Sequence, residues 1–279
     1  MARLEYTYTQ DLLFKMIFVK HEELLIQLVA QLLGIRRQSI ENFVITNPEI
    51  PPEVVGDKFC RLDINMTVDG QRVDLEIQVA NEESYPERTL YYWAREFSTA
   101  LAQGGRYADL PRTIVISILA FRLFTCDEYY SEYKVLEVSR HIPLSDKLCL
   151  KFFELPKLPE ELNEENELLL WLMLFRAETE EELASIEALG VPVMDQAIEA
   201  YRVVTATDEF RELERQRHYA ALNRASALSH AAEVGAEVER EKWQIVVAEK
   251  DTQLAEKDTQ LAEKDALIAL LRARDDEDQ

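Results

Sequence analysis

The sequence predicts an α/β fold: a mixed sheet flanked by helices, followed by a helical C-terminal region and a heptad-repeat tail. Three observations carry that expectation. Two period-two runs, FCRLDINMTV and RVDLEIQV, flank Asp69-Gly70, a dipeptide suited to a two-residue hairpin loop. Segments with helical spacing stand before and after the pair. The continuous apolar run RTIVISILAF then reads as a buried strand. Helix, strands, helix, strand is the order of an α/β core.

Taken in order, QDLLFKMIF and HEELLIQLVAQLLGI are helical, with Leu24, Leu25, Leu28, Leu32 and Ile35 at three- and four-residue spacing and Gly34 as the stop. NFVITNPEIPPEVVGDK reads as a short strand and a proline-rich loop. YPERTLYYWAREFSTALAQGG starts a helix near Pro86 and closes on Gly104-Gly105. KLCLKFFELPKL reads as a further strand. The texture changes near Pro156. PKLPEELNEENE is an acidic linker, and helices follow over LLLWLMLF, EEELASIEAL, VMDQAIEAYRVV and the run from Glu209. Residues 248–268 repeat the heptads AEKDTQL, AEKDTQL and AEKDALI, so that Leu254, Leu261 and Ile268 recur every seven. That seam offers Leu or Ile beside only Ala, and it is read equally as a weak homo-oligomer contact over residues 248–271 and as a solvated single helix. The expected divisions are 1–155, 156–245 and 246–279.

Composition narrows the class. Apolar residues make up 47%, enough for a substantial core. No apolar run approaches the about 20 residues that span a bilayer, so no membrane partner is expected. The opening run meets charges too early for a secretory leader. Cys60, Cys126 and Cys149 lack metal-ligand spacing and fit a reducing cytoplasm. The four histidines also lack metal-ligand spacing and are assigned to surface or core; Trp93, Trp171 and Trp243 are assigned to packing. The net charge of −22 argues at first against nucleic acid. Residues 1–120, however, hold 12 basic and 17 acidic side chains, a balance of −5; residues 121–279 hold the other 19 and 36, a balance of −17. The acidity is mostly C-terminal.

The hairpin poses the chemical question. A two-residue Asp69-Gly70 loop makes the numbers of facing residues sum to 139, so Asn65 faces Asp74, Asp63 faces Glu76 and Arg61 faces Gln78 on one side of the sheet. Leu62, Ile64, Met66, Val73, Leu75 and Ile77 take the other side. Opposed carboxylates repel. A hard divalent ion such as Mg²⁺, or alternatively Mn²⁺, would compensate them, activate water and stabilise charge on a phosphate. The competing reading is an exposed polar hairpin face neutralised by Arg61 or Arg72.

The run DKFCRLDINMTVDGQRVDLEIQVANEESYPERTLYYWAREFSTALAQGGRYADL, with DLLFKMIF before it and ISILAF and FFELPKL after it, resembles the recombination-promoting nuclease and transposase family of the PD-(D/E)XK nuclease superfamily. The resemblance implies a restriction-endonuclease-like core over 1–155 and cleavage of DNA phosphodiester bonds, linked to recombination, mobile elements or defence. It matches Asp63 to the superfamily's Asp and Glu76 to its acidic position, the two expected metal ligands. Gln78 falls where the superfamily usually has Lys; the named family is similar in having Gln there. A neutral amide can orient a water or a phosphate oxygen but cannot act as a base.

An acid from the first helix often completes such sites, and Asp11 is favoured over Glu22 and Glu23 because it belongs to the DLLFK run; a helix N-cap is the plain alternative. Lys15 is a candidate phosphate contact or a surface lysine. Arg88 is a candidate to neutralise phosphate or hold an acid, Tyr91 and Tyr92 are core or wall residues, and Asp74 supports the site. The enzyme reading competes with a catalytically inactive scaffold or DNA-binding module that assembles through its C-terminal helix. The sequence does not separate DNA from RNA.

Overall fold

The computed structural model describes residues 2–47, 64–81, 84–101 and 104–277. Helices α1 (Asp11–Lys20) and α2 (Glu22–Leu33) come first. Gly34 ends α2 at φ 72°, and its N–H returns to the carbonyls of Ala30 and Gln31. The left-handed conformation that satisfies those carbonyls carries no Cβ penalty at glycine.

Six strands form one sheet in the order β1-β2-β3-β4-β6-β5. They are β1 (Phe43–Ile45), β2 (Ile64–Val68), β3 (Gln71–Gln78), β4 (Thr113–Leu119), β5 (Tyr130–Tyr133) and β6 (Leu148–Glu154). Asp69 and Gly70 both take positive φ, 47° and 77°, as a two-residue hairpin turn that follows the sheet twist requires. The β2/β3 register therefore runs Val68↔Gln71, Met66↔Val73, Asn65↔Asp74 and Ile64↔Leu75, each pair summing to 139 as expected. Asp63 and Arg61 lie outside the described residues.

Helix α3 (Tyr85–Thr99) connects β3 to its parallel neighbour β4, and β6 is parallel to β4 in turn. Every residue of β4 is buried, as expected of a strand covered on both faces. The residues of the edge strand β5, YSEY, form no apolar run that marks a strand; it pairs antiparallel with β6, and Tyr130 stacks on Phe153 while Lys151 donates to the Tyr130 hydroxyl at 2.7 Å.

The two faces of the sheet carry different cores. Val73, Leu75, Ile114, Ile116 and Ile118 face α1, α2 and the helices α4 (Glu167–Arg176), α5 (Glu180–Glu187) and α6 (Pro192–Ala206). The apolar run on α4 is buried throughout from Leu169 to Phe175, and each such side chain contributes about 1.5–3 kcal/mol by leaving water. On the other face Tyr85 packs with Val115, Leu119, Leu150 and Phe152. Helix α3 is fastened there by Trp93 Nε1 donating to the Thr113 carbonyl at 3.0 Å, and by Arg72 Nη1 donating to the Glu96 carbonyl at 2.7 Å.

Helix α7 (Asp208–Glu277) belongs to two units: the first compact unit ends at Arg217 and the second comprises His218–Gln279. In the second unit Leu254, Leu261 and Ile268 are exposed along the helix. Trp171 and Trp93 pack as expected, but Trp243 does not: it is exposed, and its indole donates to Glu239 one turn away. Among the described residues no helix is long and apolar enough to cross a membrane.

Candidate active site

Alternation places Asp74, Glu76 and Gln78 on the α3 side of β3, and the parallel register sets Glu76 beside Ser117. This side is not a solvent face. Asp74 is 8% exposed and Glu76 is fully buried, because α3 crosses over them. The exposed-hairpin reading therefore does not describe this strand.

A carboxylate buried at Glu76 needs hydrogen-bond donors. The Tyr85 hydroxyl donates to Oε1 at 3.0 Å, and Ser117 Oγ approaches the same oxygen at 3.4 Å. Gln78 Nε2 lies 3.4 Å from Oε2. On its other side the Gln78 carbonyl oxygen accepts from Arg88 Nη2 at 3.0 Å, and the Arg88 guanidinium sits 4.7 Å over the Tyr85 ring. Tyr85 and Arg88 are one turn apart on α3, and Glu76 and Gln78 are alternate residues on β3. Two helix positions thus grip two strand positions. Ser84, at φ 63°, turns the chain sharply just before α3 begins.

The other candidates lie elsewhere or act differently. Asp11 is exposed; its Oδ1 accepts from the Leu12 N–H at 2.8 Å and its Oδ2 pairs with Arg217 at 2.6 Å. It is the first residue of α1, and the cap position belongs to Gln10. Glu23 is held by Nε and Nη2 of Arg37, whose hydrogen bonds bring its carboxyl below the usual range. Lys15 is buried at 2% exposure, so it is not a surface lysine. Tyr91 is exposed, and Tyr92 makes an edge contact to it. Asp74 lines a cavity of about 170 Å³ with Asn65, Arg72, Glu96 and Thr113.

Sequence reading missed Tyr85 and Ser117. Each leaves a trace in the sequence. Ser117 is the one polar residue between Ile114 and Leu119 of the strand run TIVISIL, in register with Glu76. Tyr85 stands three residues before Arg88, the spacing that brings two helical side chains together.

A mixed sheet flanked by helices, carrying a buried acid and an amide two residues on, belongs to the restriction-endonuclease-like α/β class. The model of the PD-(D/E)XK nuclease family transposases matches residues 8–231, and the chain belongs to that family. No curated protein and no solved structure matches the chain. The family carries a nuclease or transposase-like function.

PD-(D/E)XK nucleases generally use divalent metals. Among the described residues no three acids, histidines or cysteines are gathered as a metal cluster. The donor chemistry of Glu76 nonetheless fits such an ion: it is a hard carboxylate whose Oε1 is fixed by two hydroxyls, with an amide beside Oε2.

Proposed function

We propose that the chain is a metal-dependent endodeoxyribonuclease that hydrolyses DNA phosphodiester bonds in recombination, mobile-element movement or defence. The observation that carries this reading is the fully buried Glu76 carboxylate, held on β3 beside Gln78 in a chain of the PD-(D/E)XK nuclease family. Asp63 and Glu76 would hold Mg²⁺, or Mn²⁺ in its place. When bound, the ion supplies Lewis-acid stabilisation and lowers the pKa of a coordinated water.

The chain's own residues set the geometry. Tyr85 and Ser117 hold one oxygen of Glu76, leaving its orientation to the sheet and α3 rather than to solvent. Gln78 places an amide at the end of β3. In hydrolysis a water oxygen bonds to phosphorus, the opposite P–O ester bond breaks, the water gives up a proton and the departing alkoxide takes one. Phosphate contacts make binding fall steeply with salt. Plasmid cleavage with Mg²⁺ tests the reading: wild type cuts, and Asp63→Ala and Glu76→Ala do not. Equal cutting by all three refutes the site.

A scaffold reading draws on the exposed Leu254, Leu261 and Ile268 of α7. Under it, truncation before Ala248 lowers the assembled mass in light scattering and changes DNA affinity; unchanged values dismiss that role for the tail.

A further inference from the structure

We infer that Arg88 locks Gln78 as a hydrogen-bond donor, so that the Arg88–Gln78 pair supplies to an anionic phosphate oxygen what a single lysine would supply. This rests on the nuclease reading of Glu76. A glutamine amide has one oxygen that accepts and one nitrogen that donates, and its neighbours decide which end points where. Here the neighbours leave no choice. Arg88 has donors only, and its Nη2 lies 3.0 Å from Gln78 Oε1. An ionised Glu76 only accepts, and its Oε2 lies 3.4 Å from Gln78 Nε2. Reversing the amide would set N–H against guanidinium and oxygen against carboxylate.

Two consequences follow for the chemistry. With its oxygen turned to the Arg88 guanidinium, Gln78 presents its nitrogen rather than its oxygen on the Glu76 side. Its nitrogen carries two N–H groups; one is directed at Glu76, and the second is the group offered to an anionic oxygen. The guanidinium polarises that amide through the hydrogen bond, so positive character reaches the site without a charge at position 78. Arg88 is accordingly a positioning residue for Gln78. Its place is set by α3, where it lies over the ring of Tyr85, the residue that holds Glu76.

The test is a double-mutant cycle on full-length protein, reading Mg²⁺-dependent nicking of supercoiled plasmid by wild type, Arg88→Met, Gln78→Lys and the double variant. Arg88→Met should lower kcat about tenfold to a hundredfold, with KM for DNA within about twofold. In the Gln78→Lys background the same change should alter kcat by less than about threefold, or raise it, because the ammonium no longer needs an anchor and is freed of a like charge. Arg88→Lys should recover part of the loss, since it can still donate to Oε1. A raised KM with unchanged kcat, or the same loss in both backgrounds, overturns the inference.

Nuclear magnetic resonance separates this outcome from failure of the nuclease reading. The Gln78 side-chain amide protons should be displaced from their solvent positions in wild type and return to them in Arg88→Met. An amide unmoved by that substitution overturns the lock even if the protein cleaves. A displaced amide in a protein that cuts no DNA leaves the lock standing and removes the nuclease reading.

Discussion

The Tyr85 hydroxyl donates to Oε1 of Glu76 at 3.0 Å, and neither residue has any exposed surface. The helix after β3 therefore closes over the acid and also supplies a donor to it. Removing that donor leaves a buried carboxylate short of one hydrogen bond without opening a large cavity. Tyr85→Phe should cost about 1.5–3 kcal/mol in urea unfolding. Tyr91→Phe, on an exposed ring of the same helix, should change stability by less than about 0.5 kcal/mol. Equal effects would mean that the Tyr85 hydroxyl does not support Glu76.

A second buried pair closes the far end of β6. Lys157 Nζ lies 2.6 Å from Glu154 Oε2, and both side chains are almost wholly enclosed. Glu154 Oε1 also accepts from the N–H groups of Leu123 and Phe124, which pins the loop after β4. Lys157→Met strands a buried carboxylate and should destabilise by about 3–5 kcal/mol. Adding Glu154→Gln should recover part of that loss. A single-variant loss below about 1 kcal/mol would show that the pair is not coupled.

The hairpin turn carries its own prediction. At φ 77°, Gly70 occupies a conformation that a side chain disfavours, although its surroundings would leave room for a Cβ. Gly70→Ala should therefore cost about 1–2 kcal/mol through backbone strain alone. Thermal unfolding measures it, and a neutral result would exclude the turn geometry.

The pH dependence of stability should carry a mark from Glu132. Burial raises its carboxyl pKa, but hydrogen bonds from Lys134, Tyr130 and Cys149 and the charge of Lys151 outweigh burial and bring it down to about 2 from the usual 4.5. A depressed carboxylate stabilises the fold above its unfolded pKa and loses that contribution as pH falls toward its folded value. The side chain is 27% exposed, so solvent screening holds the contribution to about 1–2 kcal/mol. Wild type should exceed Glu132→Gln by that margin near neutral pH, with the gap closing between about pH 4.5 and pH 2. A gap that does not depend on pH would contradict the assignment.

These expectations were unequally visible in the chain itself. The hairpin register was legible because Asp69-Gly70 fixes the turn and alternation fixes the face. What lies on that face was only half legible. Periodicity shows that Asp74, Glu76 and Gln78 point together, but their burial comes from α3 crossing the sheet, a tertiary event. The pairing of Asp11 with Arg217 joins residues 206 apart and has no local trace. Residue type alone points Trp243 to packing, whereas one turn of an exposed helix satisfies its indole. Strand β5 has no apolar run to mark it, because pairing with β6 and contacts with Phe153 and Lys151 hold it at the sheet edge.

Under the proposed function, Glu76 and Asp63 together bind one divalent ion. Calorimetric titration of the full-length protein with Mn²⁺ tests it without requiring turnover. Wild type should bind the ion, and Asp63→Ala and Glu76→Ala should each weaken binding at least about tenfold while unfolding at temperatures close to wild type. Equal affinity in all three proteins, or no binding by the wild type, would contradict it.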